Sequence, residues 1–268
     1  MNPSKHQQER RALLDAFRTS SGTSAILTDI DGTLAPITST PAEAEVPEGI
    51  RETLAKLSEA YLLVAGVSGR EPSEARELVG LRNIAYFGNH GLELLRAFED
   101  DAEVVPAAEP YFERMRELEL LAREELAPLG AFVQDKGIAA AVHFRNVPEE
   151  VGERCVKFVK EHAERLDLVT GKGRGVIEVK PPVEVDKGTA CRRLIEEAGP
   201  KRAMFLGDDV SDLDAFRALA AMLDEGTLEQ VVRVGVGGPG VPEEVVSESD
   251  LVVEGLEGVK KLLQDLIP

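Results

Sequence analysis

Short apolar runs of strand length alternate with amphipathic helical stretches in the first and last parts of the chain. Of all features of the sequence, this alternation constrains the fold most. It predicts a mostly parallel sheet with helices on both faces. The predicted strands are rich in Leu, Ile, Val and Ala and cover Ser24–Asp29, Tyr61–Val67, Asn83–Phe87, Arg202–Leu206, Val231–Val236 and Leu251–Val253. The predicted helices cover Glu48–Glu59, Pro72–Val79, Lys187–Glu197, Ser211–Ala221 and the last residues of the chain.

The middle of the chain departs from this alternation. A helical stretch there is followed by two strands, and the pattern then occurs a second time, which gives the order α-β-β-α-β-β. This order predicts a small α+β module inserted into an α/β core, so we expect a core domain of residues 1–105 and 183–268 and an inserted domain of residues 106–182. The predicted elements of the module are Pro110–Leu126, Ala131–Gln134, Ile138–Arg145, Pro148–Leu166, Leu168–Val169 and Val176–Lys180, with turns at 135–137 and 171–175.

Charge and composition exclude several classes of partner. The 268 residues carry a net charge of −18, which argues against nucleic acid and anionic membranes, since both attract basic surfaces. An anionic substrate would be repelled at long range, so a phosphate site needs local lysine, arginine or metal. No run approaches the roughly 20 apolar residues of a membrane span, and residues 1–18 are charged and helical in pattern. Two cysteines in predicted helices favour a reduced, cytoplasmic setting, and the oligomeric state stays open, with a monomer compatible.

Two acids follow the apolar run 25–27, within the segment DIDGT of residues 29–33. Because side chains alternate along a strand, the carboxylates of Asp29 and Asp31 point to the same side, and Gly32 then allows a sharp turn. Two like charges this close need a cation, a proton or different environments. A divalent metal with one nucleophilic carboxylate meets that need, although a plain turn with a neighbouring acid also fits these residues.

Three later segments place polar residues at the same edge of the predicted sheet. Ser68 follows the second strand, where its hydroxyl could hydrogen-bond a phosphoryl oxygen. Lys187 opens a helix and supplies a fixed positive charge. The segment GDDVSD of residues 207–212 brings Asp208 and Asp212, whose oxygens suit Mg²⁺. Each segment alone also fits a simpler role, namely a Ser-Gly turn, a solvated lysine or an acidic helix N-cap.

Two glycine-rich segments have the spacing of nucleotide-binding loops without their context. Residues 235–240, GVGGPG, match GxGxxG after a strand, but they contain Pro239 and no long helix is predicted after them. Residues 171–175, GKGRG, lack the GK[ST] of a P-loop and are typical of a hairpin tip. We therefore predict no nucleotide site at either segment.

In this order, the four segments around residues 29, 68, 187 and 208 resemble the motifs of the haloacid dehalogenase-like (HAD) phosphohydrolases. The resemblance implies a Rossmann-like core and makes the inserted module its cap. It implies that Asp29 forms an aspartyl phosphate and that Asp31 is the general acid and base. It also implies that Ser68 and Lys187 are catalytic residues that offset charge on the phosphoryl group. The cofactor implied is Mg²⁺, and the implied metal residues are Asp29, Asp31 through its backbone carbonyl, Asp208, and Asp212 as an orienting group.

Three further stretches narrow the resemblance to the trehalose-6-phosphate phosphatase family. They are residues 27–37, LTDIDGTLAPI, residues 88–93, GNHGLE, and residues 176–181, VIEVKP. The resemblance implies a Mg²⁺-dependent phosphatase that releases phosphate from trehalose 6-phosphate, a small-molecule sugar phosphate. The family commonly has Arg where this chain has Lys180, a departure that keeps the charge and loses bidentate geometry.

A cap supplies sugar contacts and closes over the acids, so we expect polar cap residues among the substrate contacts. Alternating polar residues in a hairpin are also typical of a solvated face. The alternatives are another sugar phosphatase or phosphosugar mutase of the same superfamily, and a sugar-phosphate sensor without catalysis. The intact acids disfavour the sensor. The candidate substrate-binding residues are Gly69, Arg70, Asn89, His90, Arg145, Glu178 and Lys180.

Overall fold

The structure is a computed structural model that describes residues 12–38, 43–173 and 175–268. The first helix, α1, covers residues 12–19 within this range, and the part of the predicted helical stretch before residue 12 lies outside the described residues. Element contacts divide the chain into two compact units: unit 1, Met1–Ala102 with Val185–Pro268, and unit 2, Glu103–Glu184. The borders predicted from the sequence, after residues 105 and 182, stand close to these. Among the described residues, no helix combines the length and apolarity needed to cross a bilayer.

The strands of unit 1 lie in one large sheet, in the order β12-β11-β10-β1-β2-β3-β4. All neighbouring pairs are parallel except β3 with β4, so the predicted mostly parallel sheet is confirmed. The bounds are β1 Ser24–Thr28, β2 Leu63–Val67, β3 Ala85–Gly88, β4 Glu93–Leu95, β10 Arg202–Gly207, β11 Gln230–Gly237 and β12 Leu251–Glu254. The remaining helices of unit 1 are α2 Glu48–Ala60, α3 Pro72–Val79, α6 Lys187–Ala198, α7 Asp212–Asp224, α8 Glu243–Ser247 and α9 Gly255–Asp265.

Period-two alternation along the central strands gives the sheet two apolar faces. Ile26 and Met204 belong to the core cluster that α2 and α9 complete, and the next residue along β10, Phe205, meets Phe216 of α7 edge-on at 6.0 Å. Each fully buried side chain of this size contributes about 1.5–3 kcal/mol through the hydrophobic effect. This packing fixes the register of the central strands and therefore the positions of the loops at their carboxyl ends.

Unit 2 is the α+β module predicted from the sequence. Its antiparallel sheet has the order β6-β7-β9-β8, and apolar residues such as Val142 and Ile177 face α4 and α5. By alternation, Gln134, Glu178 and Lys180 lie on the other face of the sheet. The bounds are β5 Glu103–Val104, α4 Phe112–Leu126, β6 Phe132–Asp135, β7 Ala140–His143, α5 Glu149–Arg165, β8 Val169–Gly173 and β9 Val176–Lys180.

Two details differ from the sequence-based expectation. The turn predicted at 171–175 begins later, because β8 continues to Gly173 and pairs with β9 at Gly171 and Gly173. Residues 171 and 173 are exposed, and a glycine there needs only backbone hydrogen bonds. The strands β4 and β5 were not predicted. As expected, the segment 235–240 leads into no long helix, since α8 has five residues.

Candidate active site

Three neighbouring parallel strands bring predicted catalytic and metal residues to one edge of the unit 1 sheet. Since β1 lies between β10 and β2, their carboxyl ends place Asp29, Asp208 and Ser68 side by side. The backbone N–H of Asp29 donates to Leu206 at 2.8 Å and continues the β1–β10 ladder. All three side chains are buried. This edge is where open α/β sheets bind their ligands.

The turn after β1 is shaped around Asp208. Gly32 has φ of +92°, and a Cβ at this position would lie 2.1 Å from Asp208 Oδ2. Only glycine therefore allows the carboxylate to approach so closely. The Thr33 hydroxyl donates to Asp208 Oδ1 at 3.0 Å and fixes the orientation of the acid.

Lys187 joins two of the buried acids. Its Nζ donates at 2.7 Å to Asp29 Oδ1 and at 2.7 Å to Asp212 Oδ1. Asp212 Oδ2 accepts the backbone N–H groups of Asp208 at 2.9 Å and Asp209 at 3.0 Å. Asp186 caps α6 through a reciprocal capping box with Thr189, so the lysine is held on a rigid helix start. Asp212 thus positions both the lysine and the 207–212 loop.

The electrostatics of the cluster favour a bound cation. Burial raises the pKa of Asp29 well above its usual value, and burial raises the pKa of Asp208 to about 6. Burial alone would lower the pKa of Lys187, but the charges of Asp29 and Asp212 raise it above its ordinary value. Carboxylate oxygens of Asp29, Asp208 and Asp212 lie within 4.8 Å of one another. A metal at this point would offset their repulsion.

Asp31 lies apart from the three clustered acids. Its carboxylate receives two parallel hydrogen bonds from the Arg70 guanidinium, Nε to Oδ2 at 2.7 Å and an NH2 group to Oδ1 at 2.6 Å. This bond to Asp31 raises the pKa of Arg70 above its ordinary value. Arg70 was predicted as a substrate contact, and in the structure its guanidinium binds the predicted general acid.

The loop after β2 is braced by the turn after β3. His90 N–H donates to the Ser68 carbonyl at 3.1 Å, and its ring covers Gly69, where a Cβ would lie 2.6 Å from the ring. Asn89 is buried, and its amide donates to Glu93. Asn89 and His90 both have positive φ. The structure therefore gives Asn89 a bracing contact and leaves His90 half-buried beside the Ser68 loop.

The candidate sugar contacts lie in unit 2. Glu178 and Lys180 are two residues apart on β9 and half-buried, and Arg145 is exposed beyond the end of β7. Sequence reasoning missed Lys136, which is buried and reaches Glu178 at 3.5 Å. It also missed Gln134, whose Oε1 lies 3.0 Å from His143 Nε2. Lys136 lies just beyond the end of β6, in the turn predicted at 135–137, so no strand alternation marked it.

Solved structures with the same fold define the class. The C-terminal domain of a C. albicans trehalose-6-phosphate phosphatase aligns with a TM-score of 0.70 at 23% identity, over 96% of each chain. A haloacid dehalogenase-like hydrolase from Bacteroides thetaiotaomicron aligns with a TM-score of 0.63 at 16% identity, over 90% of this chain and 98% of that one. The fold is that of the HAD-like hydrolases with a cap domain.

Sequence similarity identifies the family within this class. The profile described as trehalose-phosphatase matches residues 27–239. The trehalose-phosphate phosphatase of Mycobacterium marinum is 33% identical over 203 residues, which are 73% of this chain and 51% of that protein. The chain belongs to the trehalose-phosphatase family. It spans about half the length of this curated relative, and less of a longer mycobacterial one.

Proposed function

We propose that this protein is a Mg²⁺-dependent phosphatase that hydrolyses trehalose 6-phosphate to trehalose and phosphate. The observation that carries the proposal is the buried group of Asp29, Asp208, Asp212 and Lys187 in a chain of the trehalose-phosphatase family. Burying three carboxylates around one ammonium costs several kcal/mol, so such a cluster is typical of a functional site.

The donor set fits Mg²⁺. With Asp31 and its partner Arg70, the site has four carboxylates and two cations, so two negative charges are in excess. Asp29, Asp208 and the backbone carbonyl of Asp31 would hold the ion, and Asp212 would orient the ion or its waters. When bound, Mg²⁺ neutralises charge on the phosphoryl oxygens.

The chain's own residues then carry the transfer. A carboxylate oxygen of Asp29 attacks phosphorus in line, and the bond from phosphorus to the sugar oxygen breaks with its electron pair on that oxygen. Asp31 gives this oxygen a proton. Lys187 partly offsets the effect of burial on Asp29 and, with Ser68, offsets the charge of the transferring group. The products of this step are trehalose and the aspartyl phosphate of Asp29.

Asp31 then acts in the opposite sense. As a carboxylate it takes a proton from water, whose oxygen attacks phosphorus, and the bond to Asp29 breaks with its electron pair on the carboxylate. Phosphate leaves, and both aspartates return to their starting states. Two roles for one residue require that its carboxylate stay close to the reacting oxygen in both steps.

We assign the choice of sugar to unit 2, on the polar face of its sheet. Glu178, Lys136 and Lys180 offer charged groups on one face, as contacts to sugar hydroxyls need. We place the reaction in the cytoplasm, because Cys155 and Cys191 are free, buried thiols.

A panel of phosphate esters tests the proposal. Phosphate release is measured for trehalose 6-phosphate, glucose 6-phosphate and p-nitrophenyl phosphate, each with Mg²⁺ and with excess chelator. Trehalose 6-phosphate should be preferred over glucose 6-phosphate by about 10²-fold or more in kcat/KM, since the shorter ester lacks the second ring and its binding energy. Chelator should stop all release.

Other outcomes identify the alternatives. Comparable efficiency on several monosaccharide phosphates would favour a general sugar phosphatase. Isomerised sugar phosphate without net phosphate release would favour a mutase. Binding of trehalose 6-phosphate without turnover of any ester would favour a sensor.

A further inference from the structure

We propose that Arg70 is a positioning residue for Asp31 and holds its carboxylate where proton transfer takes place. This inference deepens the proposed function and rests on it. Of the four acids of the site, Asp29, Asp208 and Asp212 are buried, whereas the Asp31 side chain is 36% exposed. A half-exposed carboxylate rotates freely unless another group fixes it, so the ion pair to Arg70 is the contact that orients Asp31.

The Arg70–Asp31 ion pair is bidentate. The Nε and one NH2 group of Arg70 each donate to a different oxygen of Asp31, at 2.7 Å and 2.6 Å. Two parallel bonds define the plane of the carboxylate as well as its position. The Arg70 side chain is 13% exposed, so it is the more rigid partner.

The backbone of Arg70 is itself held from two sides. Its N–H donates to Ser68 Oγ at 3.1 Å, and its carbonyl accepts the N–H of Asn89 at 2.8 Å. A Cβ on Gly88 would lie 2.6 Å from that carbonyl, so the turn after β3 approaches this loop as only glycine permits. Residues at the end of β3 therefore hold Arg70 in place, and Arg70 in turn holds the carboxylate of Asp31.

The same contacts favour this role over phosphate binding, and kinetics can separate the two roles. The Nε and NH2 edge of Arg70 is bonded to Asp31, while Lys187 already supplies a cation to Asp29. A phosphate ligand affects both chemical steps and substrate affinity. A residue that acts through Asp31 affects only the steps in which Asp31 moves a proton.

p-Nitrophenyl phosphate makes this difference measurable. Its leaving group departs without a proton, so formation of aspartyl phosphate does not need Asp31, whereas hydrolysis of the intermediate does. In rapid-mixing experiments with Mg²⁺, Arg70→Gln should release a first equivalent of p-nitrophenolate at a rate within about 3-fold of wild type. Later turnover should then fall about 30-fold or more.

A double-mutant cycle provides the second readout. For trehalose 6-phosphate, Arg70→Gln should lower kcat about 30-fold or more and change KM by less than about 3-fold. In the Asp31→Asn background, the same change should lower the rate less than about 2-fold, because its target is already lost. Arg70→Lys keeps the charge but cannot make two parallel hydrogen bonds to one carboxylate, so it should recover only part of the wild-type kcat. Arg76→Gln on α3, whose arginine binds the carbonyl of Glu99, is the matched control and should behave as wild type.

Two results would overturn the inference. One is a burst rate that falls in parallel with turnover. The other is a further loss in the Asp31→Asn background as large as in wild type, for Arg70→Gln or Arg70→Lys. Either would make Arg70 a phosphate ligand while leaving the proposed function intact. If the wild-type protein hydrolysed neither ester, the proposed function would fail first, and this inference with it.

Discussion

The Asp208 carboxylate is buried at a strand end, and the raised pKa of about 6 reports that its ionised form is disfavoured without a cation. A buried charge of this kind lowers the stability of the metal-free protein, and a bound cation would offset that cost. The Asp208 charge therefore has opposite effects on the stability of the metal-free protein and on ion binding. One substitution can separate these two effects.

We predict that Asp208→Asn removes the stabilisation by Mg²⁺ while sparing the metal-free protein. In chelator, its melting temperature should equal or exceed that of wild type, because a disfavoured charge is gone. Mg²⁺ at 100 times its dissociation constant should stabilise wild type by about 2.7 kcal/mol and the variant by much less. Activity should fall and require far more Mg²⁺.

Differential scanning calorimetry measures both states. Asp224→Asn, at the exposed end of α7, is the control and should keep the full response to Mg²⁺. An Asp208→Asn protein that gains as much stability from Mg²⁺ as wild type would rule out Asp208 as a ligand.

The sequence predicted which residues would meet at this edge but not how they pair. Strand order in an α/β sheet brings residues 29, 68 and 208 together whatever their side chains do, so their positions follow from pattern alone. The Asp31–Arg70 ion pair depends on side-chain rotamers in two separate loops, which no periodicity encodes. Lys136 falls in the predicted turn 135–137, and the structure buries it beside Glu178 of β9.

At the scale of elements, the start of α6 depends on the turn that follows β3. Gly91 has φ of +102°, and a Cβ there would lie 2.6 Å from the carbonyl oxygen of Asp186, the N-cap of α6. That close approach fixes the helix start, and with it Lys187. The contact with Asp186, one residue before Lys187, thus links the turn to the acids.

We predict that Gly91→Ala lowers both stability and activity. Strain at positive φ and the contact with the Asp186 carbonyl should cost about 1–3 kcal/mol, and displacement of Lys187 should lower kcat about 10-fold or more. Gly199→Ala, at the other end of α6, is the control. Gly199 also has positive φ, but nothing lies within 4 Å of its Cβ position.

Chemical denaturation and steady-state kinetics give the comparison. Gly199→Ala should lose about 1 kcal/mol of stability and keep its kcat. If Gly91→Ala lost stability by the same amount and retained full kcat, the coupling between the turn and Lys187 would be wrong.

The elements most easily predicted were long and apolar. Every strand from β1 to β3 and from β10 to β12 coincides with an apolar run. The strands β4 and β5 have three and two residues, which is too short for any period to show. In β8, glycines that normally end a strand are tolerated because residues 171 and 173 are exposed and pair only through their backbone.

At the scale of the whole molecule, we propose that unit 1 performs the chemistry and that unit 2 selects the sugar. We predict that Glu178→Gln or Lys180→Gln lowers kcat/KM for trehalose 6-phosphate by about 10²-fold, since polar groups made to hydrogen-bond the substrate lose their partners. Hydrolysis of p-nitrophenyl phosphate, which has no sugar hydroxyls, should change much less.

Steady-state kinetics on both esters measures this selectivity. Lys157→Gln on α5, a helix on the opposite side of the unit 2 sheet, is the control and should leave both rates unchanged. Equal losses of kcat/KM on both esters for Glu178→Gln and Lys180→Gln would contradict the assignment of sugar choice to unit 2.

The most direct test of the central claim is to find the phosphoryl group on the protein. Wild type and Mg²⁺ are mixed with trehalose 6-phosphate, quenched in acid within the first turnover, digested and analysed by mass spectrometry. We predict a phosphoryl group on Asp29, absent with chelator and absent in Asp29→Asn, which should release no phosphate. Rapid phosphate release with no modified Asp29, or turnover by Asp29→Asn at half the wild-type rate, would contradict the account.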